Sequence, residues 1–201
     1  MRLFIALAPP ARVVADLDAA CAPLRGDRGD LRWTSTDAWH VTLAFLGEVS
    51  EASLARLVPR MERAARRHPP FSLSFSGAGA FPSAARANVL WSGLAGDRRA
   101  LGYLAASVTA GASRAGAAPP DAGRRFNPHL TLARCRAPVN VEQIVTDLAG
   151  YAGPSWVAEE MHLIRSRLNG QPRFETLGTY KLRAPTPAPA DGSRVRDEGH
   201  S

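Results

Sequence analysis

The spacing of apolar residues along the chain changes repeatedly between the period of an α-helix and that of a β-strand. Four segments with helical spacing predict helices at 11–24, 51–67, 98–115 and 140–148. Ser50 is a suitable N-cap for the second helix, and Asn140 with Gln143 forms a capping-box pattern at the start of the fourth. Short apolar or alternating segments predict strands at 2–8, 31–34, 40–46, 71–76, 88–91, 129–135, 158–165 and 173–182.

The order of these elements predicts an α+β fold with two similar halves. The first half follows the order strand–helix–strand–helix–strand–strand, and the second follows helix–strand–helix–strand–strand. Pairs of consecutive strands, the last pair joined by the turn Asn169-Gly170, favour antiparallel sheets. The pattern therefore resembles an approximate duplication.

The character of the sequence changes at Ala184. The preceding chain is long enough to bury a core as one globular unit, and 45% of the whole sequence is hydrophobic. After it, prolines alternate with small residues and are followed by charged and polar residues that have nothing to bury. We therefore predict one domain at 1–183 and a disordered tail at 184–201.

Net charge, cysteine content and hydropathy indicate which partners and which cellular compartment to expect. The net charge of +7 suits a polyanionic partner, but Lys181 is the only lysine, so an arginine-rich composition contributes to that charge. Cys21 and Cys135 lack metal-binding or redox spacing, and we expect reduced thiols in a cytoplasmic protein. No stretch approaches the roughly 18 apolar residues of a membrane span, so no membrane partner is expected.

The strongest chemical signal is a repeated phrase, His-x-Thr-x with an apolar residue at both x positions. It begins at His40, with Thr42, and again at His129, with Thr131; the other histidines lack a threonine at this spacing. In a strand, alternation places the histidine and threonine on one face and the apolar pair on the other. The two phrases therefore resemble two halves of one phosphate-handling site.

The chemistry of such a pair is acid–base catalysis. A neutral imidazole can accept a proton from water while an imidazolium donates one to a leaving oxygen, and the ordinary pKa of histidine permits both near neutral pH. The threonine hydroxyls can donate hydrogen bonds to phosphate oxygens. A zinc site is the alternative, but Asp37 and Glu48 flank the first motif out of phase with His40. We therefore predict neither a metal nor another cofactor.

Several segments carry a resemblance to the two-histidine phosphoesterases, specifically to the bacterial RNA 2′,3′-cyclic phosphodiesterases, historically called 2′-5′ RNA ligases. The resemblance covers roughly residues 1–182. It rests on the segments Met1-Arg2-Leu3-Phe4-Ile5-Ala6-Leu7, His40-Val41-Thr42-Leu43-Ala44-Phe45-Leu46-Gly47, Phe81-Pro82, Val89-Leu90-Trp91, Phe126-Asn127-Pro128-His129-Leu130-Thr131-Leu132-Ala133-Arg134, Ser166-Arg167-Leu168 and Phe174-Glu175-Thr176-Leu177.

This resemblance implies a bilobal fold, in which two pseudo-symmetric lobes of antiparallel sheet with outer helices surround a central cleft. It implies metal-independent opening of an RNA 2′,3′-cyclic phosphate to a 2′-phosphate, with 2′-5′ ligation as a side activity, and we expect a monomer. By position, His40 and His129 take the catalytic roles, and Thr42 and Thr131 bind the substrate phosphate. The family also suggests a phosphate-binding arginine at Arg134.

The alternation of side chains along the two motif strands predicts which way other residues face. Strict alternation from His129 turns Arg134 away from the cleft. Either the strand ends or bulges there, or the side chain reaches round the strand end, or Arg134 is a solvent-facing arginine with no role in the site. By the same phase Phe45 is predicted to be a core residue rather than a base-stacking surface. Trp33 and Trp91 are buried strand aromatics or base-stacking surfaces. His162 is interpreted as an ordinary strand residue.

Two other functions stay open on the sequence alone. The same site could act on a small cyclic nucleotide or a 2′-5′-linked oligonucleotide. The chain could instead be a non-catalytic protein that binds RNA ends, although a binding module has no need of two proton-transfer groups. The sequence does not distinguish which histidine is the base and which the acid.

Overall fold

The computed structural model describes residues 1–26, 29–120, 123, 125–167 and 173–183. The predicted tail at 184–201 and the predicted turn at Asn169-Gly170 lie outside these residues. All four predicted helices are present. They are α1 (Ala11–Cys21), α2 (Glu51–Ala65), α3 (Arg98–Arg114) and α4 (Glu142–Asp147). No helix within the described ranges is long and apolar enough to cross a membrane.

Of the two predicted helix caps, the one at Ser50 is present and the one at Asn140 is present only in part. The backbone N–H of Ser53 donates to Ser50 Oγ at 3.2 Å, as the N-cap prediction requires. At the start of α4, Asn140 Oδ1 accepts from the N–H of Glu142 at 2.9 Å. Gln143 does not complete a capping box, because its side chain donates to Asp147 one turn further on.

The structure contains nine strands within the described residues. They are β1 (Arg2–Leu7), β2 (Leu31–Trp33), β3 (Val41–Glu48), β4 (Phe71–Phe81), β5 (Ala87–Gly96), β6 (Leu130–Val139), β7 (Trp156–Ala158), β8 (Glu160–Ser166) and β9 (Phe174–Lys181). The strand predicted at 158–165 is present as β8. Its first residue, Ala158, belongs instead to β7, a separate strand that pairs with a different partner and was not predicted. β4 and β5 are longer than predicted, since they pair along most of their length.

All pairings are antiparallel, and the strands form one curled sheet in the order β7-β4-β5-β6-β3-β1-β8-β9, with β2 paired to β6. The sheet divides into a first lobe, β3-β1-β8-β9, and a second lobe, β7-β4-β5-β6 with β2. Helices α2 and α3 pack on the first lobe and α4 on the second. This architecture confirms the α+β fold with two antiparallel lobes and outer helices.

The lobes join where β3 meets β6, at the pairing of Val41 with Leu130. Both side chains are fully buried, and on each side of the pair the strands diverge to join their own lobes. A cleft therefore lies between the lobes, with the two motifs at its centre.

The position of β1 at the centre of the first lobe explains why its sequence is strongly apolar. β1 pairs with β3 on one side and β8 on the other, and Leu3 through Leu7 are buried. A strand covered on both faces needs apolar residues at successive positions rather than alternate ones. The opening segment is therefore the first core strand that its pattern predicts.

Candidate active site

The two His-x-Thr-x motifs meet at the contact between the lobes. Because Val41 lies opposite Leu130 in an antiparallel pairing, Thr131 falls beside His40, and the other threonine falls beside the other histidine. The side chains next to the buried pair point the opposite way, into the cleft. A local two-fold axis therefore relates the motifs, and each histidine lies next to the threonine of the other motif.

The same hydrogen bond orients each motif histidine. The Nδ1 of His40 is 2.8 Å from the carbonyl oxygen of Ala38, and the Nδ1 of His129 is 2.8 Å from that of Asn127. Because a carbonyl oxygen can only accept, Nδ1 carries a proton in both rings. The Nε2 of each neutral ring can then accept a proton and, once protonated, return it.

Aromatic rings pack against His40. The centroid of Phe4, on the neighbouring strand β1, is 4.7 Å from that of the imidazole, and the centroid of Phe174 on β9 is 5.5 Å away. Phe4 and Phe174 also contact each other edge to face. These contacts restrict the imidazole and reduce its exposure to water.

His129 has a corresponding aromatic pair in the second lobe. Phe81 on β4 and Trp91 on β5 lie 5.1 and 6.2 Å from its ring, centroid to centroid. Trp91 pairs with Gly79 across the two strands, and a Cβ atom at Gly79 would lie 2.3 Å from the indole. Only glycine at this position lets the indole lie against β4 and reach His129.

A β-bulge in β3 changes which side chains face the cleft. Thr42 pairs with Ala6 and Phe45 with Phe4, so four residues of β3 match three of β1, and Leu43 lies in the extra position. Thr42 and Phe45 therefore share one face of the sheet. The core position predicted for Phe45 is wrong, since Phe45 is half-buried and lines a groove together with Thr42.

An equivalent bulge in β6 places Arg134. Thr131 pairs with Trp91 and Arg134 with Val89, so Leu132 lies in the extra position. Because Trp91 and Val89 are two residues apart on one strand, Thr131 and Arg134 share a face. Of the alternatives for Arg134, the structure has the bulge, and it turns this arginine toward the cleft.

Several polar groups that face the cleft have no partner among the described residues. The hydroxyls of Thr42 and Thr131 make no hydrogen bond to any residue that the structure describes, and the guanidinium of Arg134 has no ion pair within that set. Arg32 on β2 lies opposite Arg134 and is exposed. These donors are free to bind an anion such as a phosphate.

Burial and charge shift both imidazoles toward the neutral form. Desolvation is the largest cause that lowers the pKa of His40, and the charges of Arg134 and His129 lower it further against the hydrogen bond to Ala38. Desolvation and Arg134 likewise lower the pKa of His129, against its own backbone hydrogen bond. Arg134 therefore acts electrostatically on both histidines.

Trp33 and His162, also singled out by sequence, take different positions relative to the cleft. Trp33 pairs with Ala133 on the face opposite Arg134, so it is a packing residue rather than a cleft surface. His162 lies on the cleft face of β8, with Nδ1 3.1 Å from Thr179 Oγ1. Within the described part of the chain, no three His, Cys, Asp or Glu side chains cluster closely enough to hold a metal ion.

Sequence reasoning missed the rings around the motif histidines. Phe4, Phe174 and Phe81 come from three different strands, and nothing in their own spacing connects them to a histidine. Each lies in a segment on which the family resemblance rests, and that was the available signal. Gly79 was missed because its requirement comes from the side chain on the opposite strand.

The arrangement can perform acid–base chemistry on a bound phosphate. Two Nε2 atoms from opposite lobes provide a proton acceptor and a proton donor, while two hydroxyls and an arginine provide hydrogen bonds to oxygen atoms. A phosphorus atom between the histidines could be attacked from one side and lose a leaving group on the other.

A family model and the known proteins that resemble this chain point to the same family. The family model described as LigT-like phosphoesterase matches residues 7–91 and 95–174. A relative from Thermus thermophilus, described as RNA 2′,3′-cyclic phosphodiesterase, is 33% identical over 91% of this chain and 91% of its own length. Other curated relatives of the same description are matched over less of their length, 56% in Aquifex aeolicus and 47% in Geobacillus stearothermophilus.

Solved structures share the fold. A crystal structure of a Thermus thermophilus protein superposes with a TM-score of 0.75 at 30% identity, covering 92% of this chain and 99% of that one. Escherichia coli LigT in complex with 3′-AMP superposes with a TM-score of 0.72 at 30% identity, covering 90% of this chain and 97% of that one.

Proposed function

Because the chain belongs to the LigT-like phosphoesterase family, we propose that it hydrolyses the 2′,3′-cyclic phosphate at an RNA end to a 2′-phosphate. The main support is the pair of motif histidines, each with Nδ1 bound to a backbone carbonyl and each beside a threonine hydroxyl. Relatives described as RNA 2′,3′-cyclic phosphodiesterases support the same substrate.

In this reaction one histidine Nε2 takes a proton from water, and the water oxygen forms a bond to phosphorus. The P–O3′ bond breaks as the Nε2 of the other histidine donates its proton to O3′, and the bond to O2′ is kept. Thr42, Thr131 and Arg134 hold the non-bridging oxygens, whose negative charge increases in the transition state. Attack by the 5′-hydroxyl of a second RNA in place of water would form a 2′-5′ linkage.

The direct test uses a short RNA that ends in a 2′,3′-cyclic phosphate. We expect a product with a 2′-phosphate and a free 3′-hydroxyl, identified by mass and by ³¹P NMR. A 2′,3′-cyclic mononucleotide and a 2′-5′-linked oligonucleotide serve as parallel substrates for the other two enzymatic hypotheses. Binding of the cyclic-phosphate RNA without turnover would instead support a binding protein.

The proposed chemistry is metal-independent, because one imidazole activates the water and the other protonates the leaving oxygen. In a metalloenzyme a bound metal ion would activate the water instead. We expect the initial rate to be the same in excess EDTA as in buffer alone. Loss of turnover in EDTA, with recovery on adding a divalent ion, would contradict this mechanism.

We further propose a monomer in a reducing cytoplasm. One chain contributes both histidines, so a second copy is not needed to complete the site. Cys21 and Cys135 form no disulfide, and burial raises the pKa of the Cys21 thiol to about 11, which suits an unreactive, reduced side chain. Sedimentation equilibrium would measure the mass directly.

A further inference from the structure

A groove of about 900 Å³ runs beside the candidate active site, between β3 and α3. Its inner end is formed by Thr42 and His129, and Phe45 lies next to Thr42 along the same wall. A group that fills this groove would therefore be continuous with a phosphate held at the motif histidines. Its volume is at the upper end of the range of about 300–1,000 Å³ typical for ligand sites.

The helical wall of the groove carries small side chains. Gly102, Ala106 and Ala110 follow one another four residues apart on α3, and Thr109 and Ser113 lie beside them. Ala106 is exposed although it lines the groove, so no other described side chain covers it. The neighbouring exposed positions at the start of α3 are long, with two arginines and Tyr103. Small residues therefore line the groove specifically and leave a smooth wall.

The opposite wall combines aromatic rings with a positive charge. Phe45 and Phe126 are half-buried and line the groove, and the guanidinium of Arg2 lies 4.9 Å from the Phe45 ring centroid. Arg125 is exposed on the same wall and makes no ion pair with the residues that the structure describes. Aromatic rings with an unpaired arginine are the groups that bind bases and phosphates of single-stranded RNA.

We propose that this groove binds the RNA nucleotide on the 5′ side of the cyclic phosphate, with its base between the aromatic wall and α3 and its phosphate at Arg125. This rests on the proposed function and makes it more specific. The substrate class is then an oligonucleotide with a 2′,3′-cyclic phosphate end, in preference to a 2′,3′-cyclic mononucleotide.

The first measurement compares kcat/KM for 2′,3′-cyclic AMP and for a short oligoadenylate ending in a 2′,3′-cyclic phosphate. We expect wild type to prefer the oligonucleotide by roughly tenfold or more, which is the effect of one stacked base. In Ala106→Trp the indole occupies the groove, and the ratio should fall to near one. Ala55→Trp places the same substitution on an exposed position of α2 and should keep both wild-type rates.

A second measurement tests the phosphate contact. The dependence of log kcat/KM for the oligonucleotide on log salt concentration should become shallower by about 0.7 in Arg125→Gln, as for one lost contact to a single strand. Arg63→Gln, an exposed arginine of α2, should keep the wild-type slope. An unchanged slope in Arg125→Gln would place the phosphate elsewhere.

A wild-type ratio near one, or an Ala106→Trp variant that keeps the wild-type ratio, would overturn the groove proposal while hydrolysis of either substrate still supports the proposed function. If Ala106→Trp melts far below wild type, Ser113→Trp provides the same obstruction at another exposed groove position. If wild type hydrolyses neither substrate, the proposed function fails. Fluorescence anisotropy with the labelled oligonucleotide then decides the groove alone, and weaker binding by Ala106→Trp than by Ala55→Trp would support it.

Discussion

A hydrogen bond from Nδ1 to a backbone carbonyl determines which nitrogen of each motif histidine can transfer a proton. The acceptor lies two residues upstream in both motifs, at Ala38 and Asn127. The sequence predicted the paired histidines and threonines, because both depend on residue type and spacing. It could not predict the hydrogen bond, because any residue type can supply a backbone carbonyl.

Loss of either histidine should remove one proton transfer. We expect His40→Ala and His129→Ala each to lower kcat by about 10²–10⁴-fold on a cyclic-phosphate RNA. The kcat of the double variant should be within about tenfold of that of the less active single variant, because the two groups act in one step. His68→Ala, at a histidine bonded to Ser107 outside the cleft, is the control and should keep the wild-type kcat. Full turnover in either motif variant would refute the paired mechanism.

The charge of Arg134 should set the pH range of the reaction. Burial and Arg134 lower the pKa of both histidines, so the protonated acid is lost as pH rises, and kcat/KM should peak below about pH 6.5. Arg134→Gln removes a positive charge, stabilises both imidazolium forms and raises both pKa values. Its whole bell-shaped profile should therefore move to higher pH, whereas Arg63→Gln should leave the profile in place. A shift of Arg134→Gln to lower pH would contradict this electrostatic role.

At the scale of elements, the strands were predictable and their bulges were not. Alternation along β3 and β6 indicates a strand in each case, but the extra residue is decided by the pairing with β1 and β5. For this reason the phase argument failed at Phe45 and left Arg134 undecided. Bulges at equivalent places in both motif strands are consistent with the local two-fold relation of the site.

The packing of Trp91 against Gly79 on β4 is expected to position His129, and a substitution at Gly79 tests this. Gly79→Ala would place a Cβ where the Trp91 indole lies, so we expect the indole to shift and His129 to lose part of its enclosure. The expected result is a lower kcat with a lower melting temperature. Gly150→Ala, where a Cβ would meet nothing within 4 Å, is the matched control. Wild-type kcat in Gly79→Ala would show that the indole does not position His129.

At the scale of the whole molecule, the two lobes are interleaved along the chain. The first lobe takes two strands from the start of the sequence and two from its end, β8 and β9. The sequence pattern predicted the helices and every strand except β7, but not that the chain returns to the first lobe at Glu159, between β7 and β8. Only the pairing of β7 with β4 and of β8 with β1 reveals this step.

Two truncations should separate the tail from the fold. Removing residues 184–201 should leave the melting temperature and turnover nearly unchanged, because that composition has no apolar periodicity. Ending the chain after Ser166 should abolish both, because it removes the whole partner strand of β8 together with Phe174 and the buried Tyr180. A tail deletion that lowers the melting temperature strongly would show that the tail packs on the domain.

The return of the chain to its first lobe also has a consequence during synthesis. β1 needs β8 as its second neighbour, and β8 needs β9, so a nascent chain on the ribosome lacks a complete first lobe until residue 181 has emerged. The second lobe can form earlier, because its strands end at Ala158. His40 would then remain without Phe174 beside it until β9 has been synthesised. Nascent chains that still lack β9 should therefore have no complete candidate site while they are held at the ribosome.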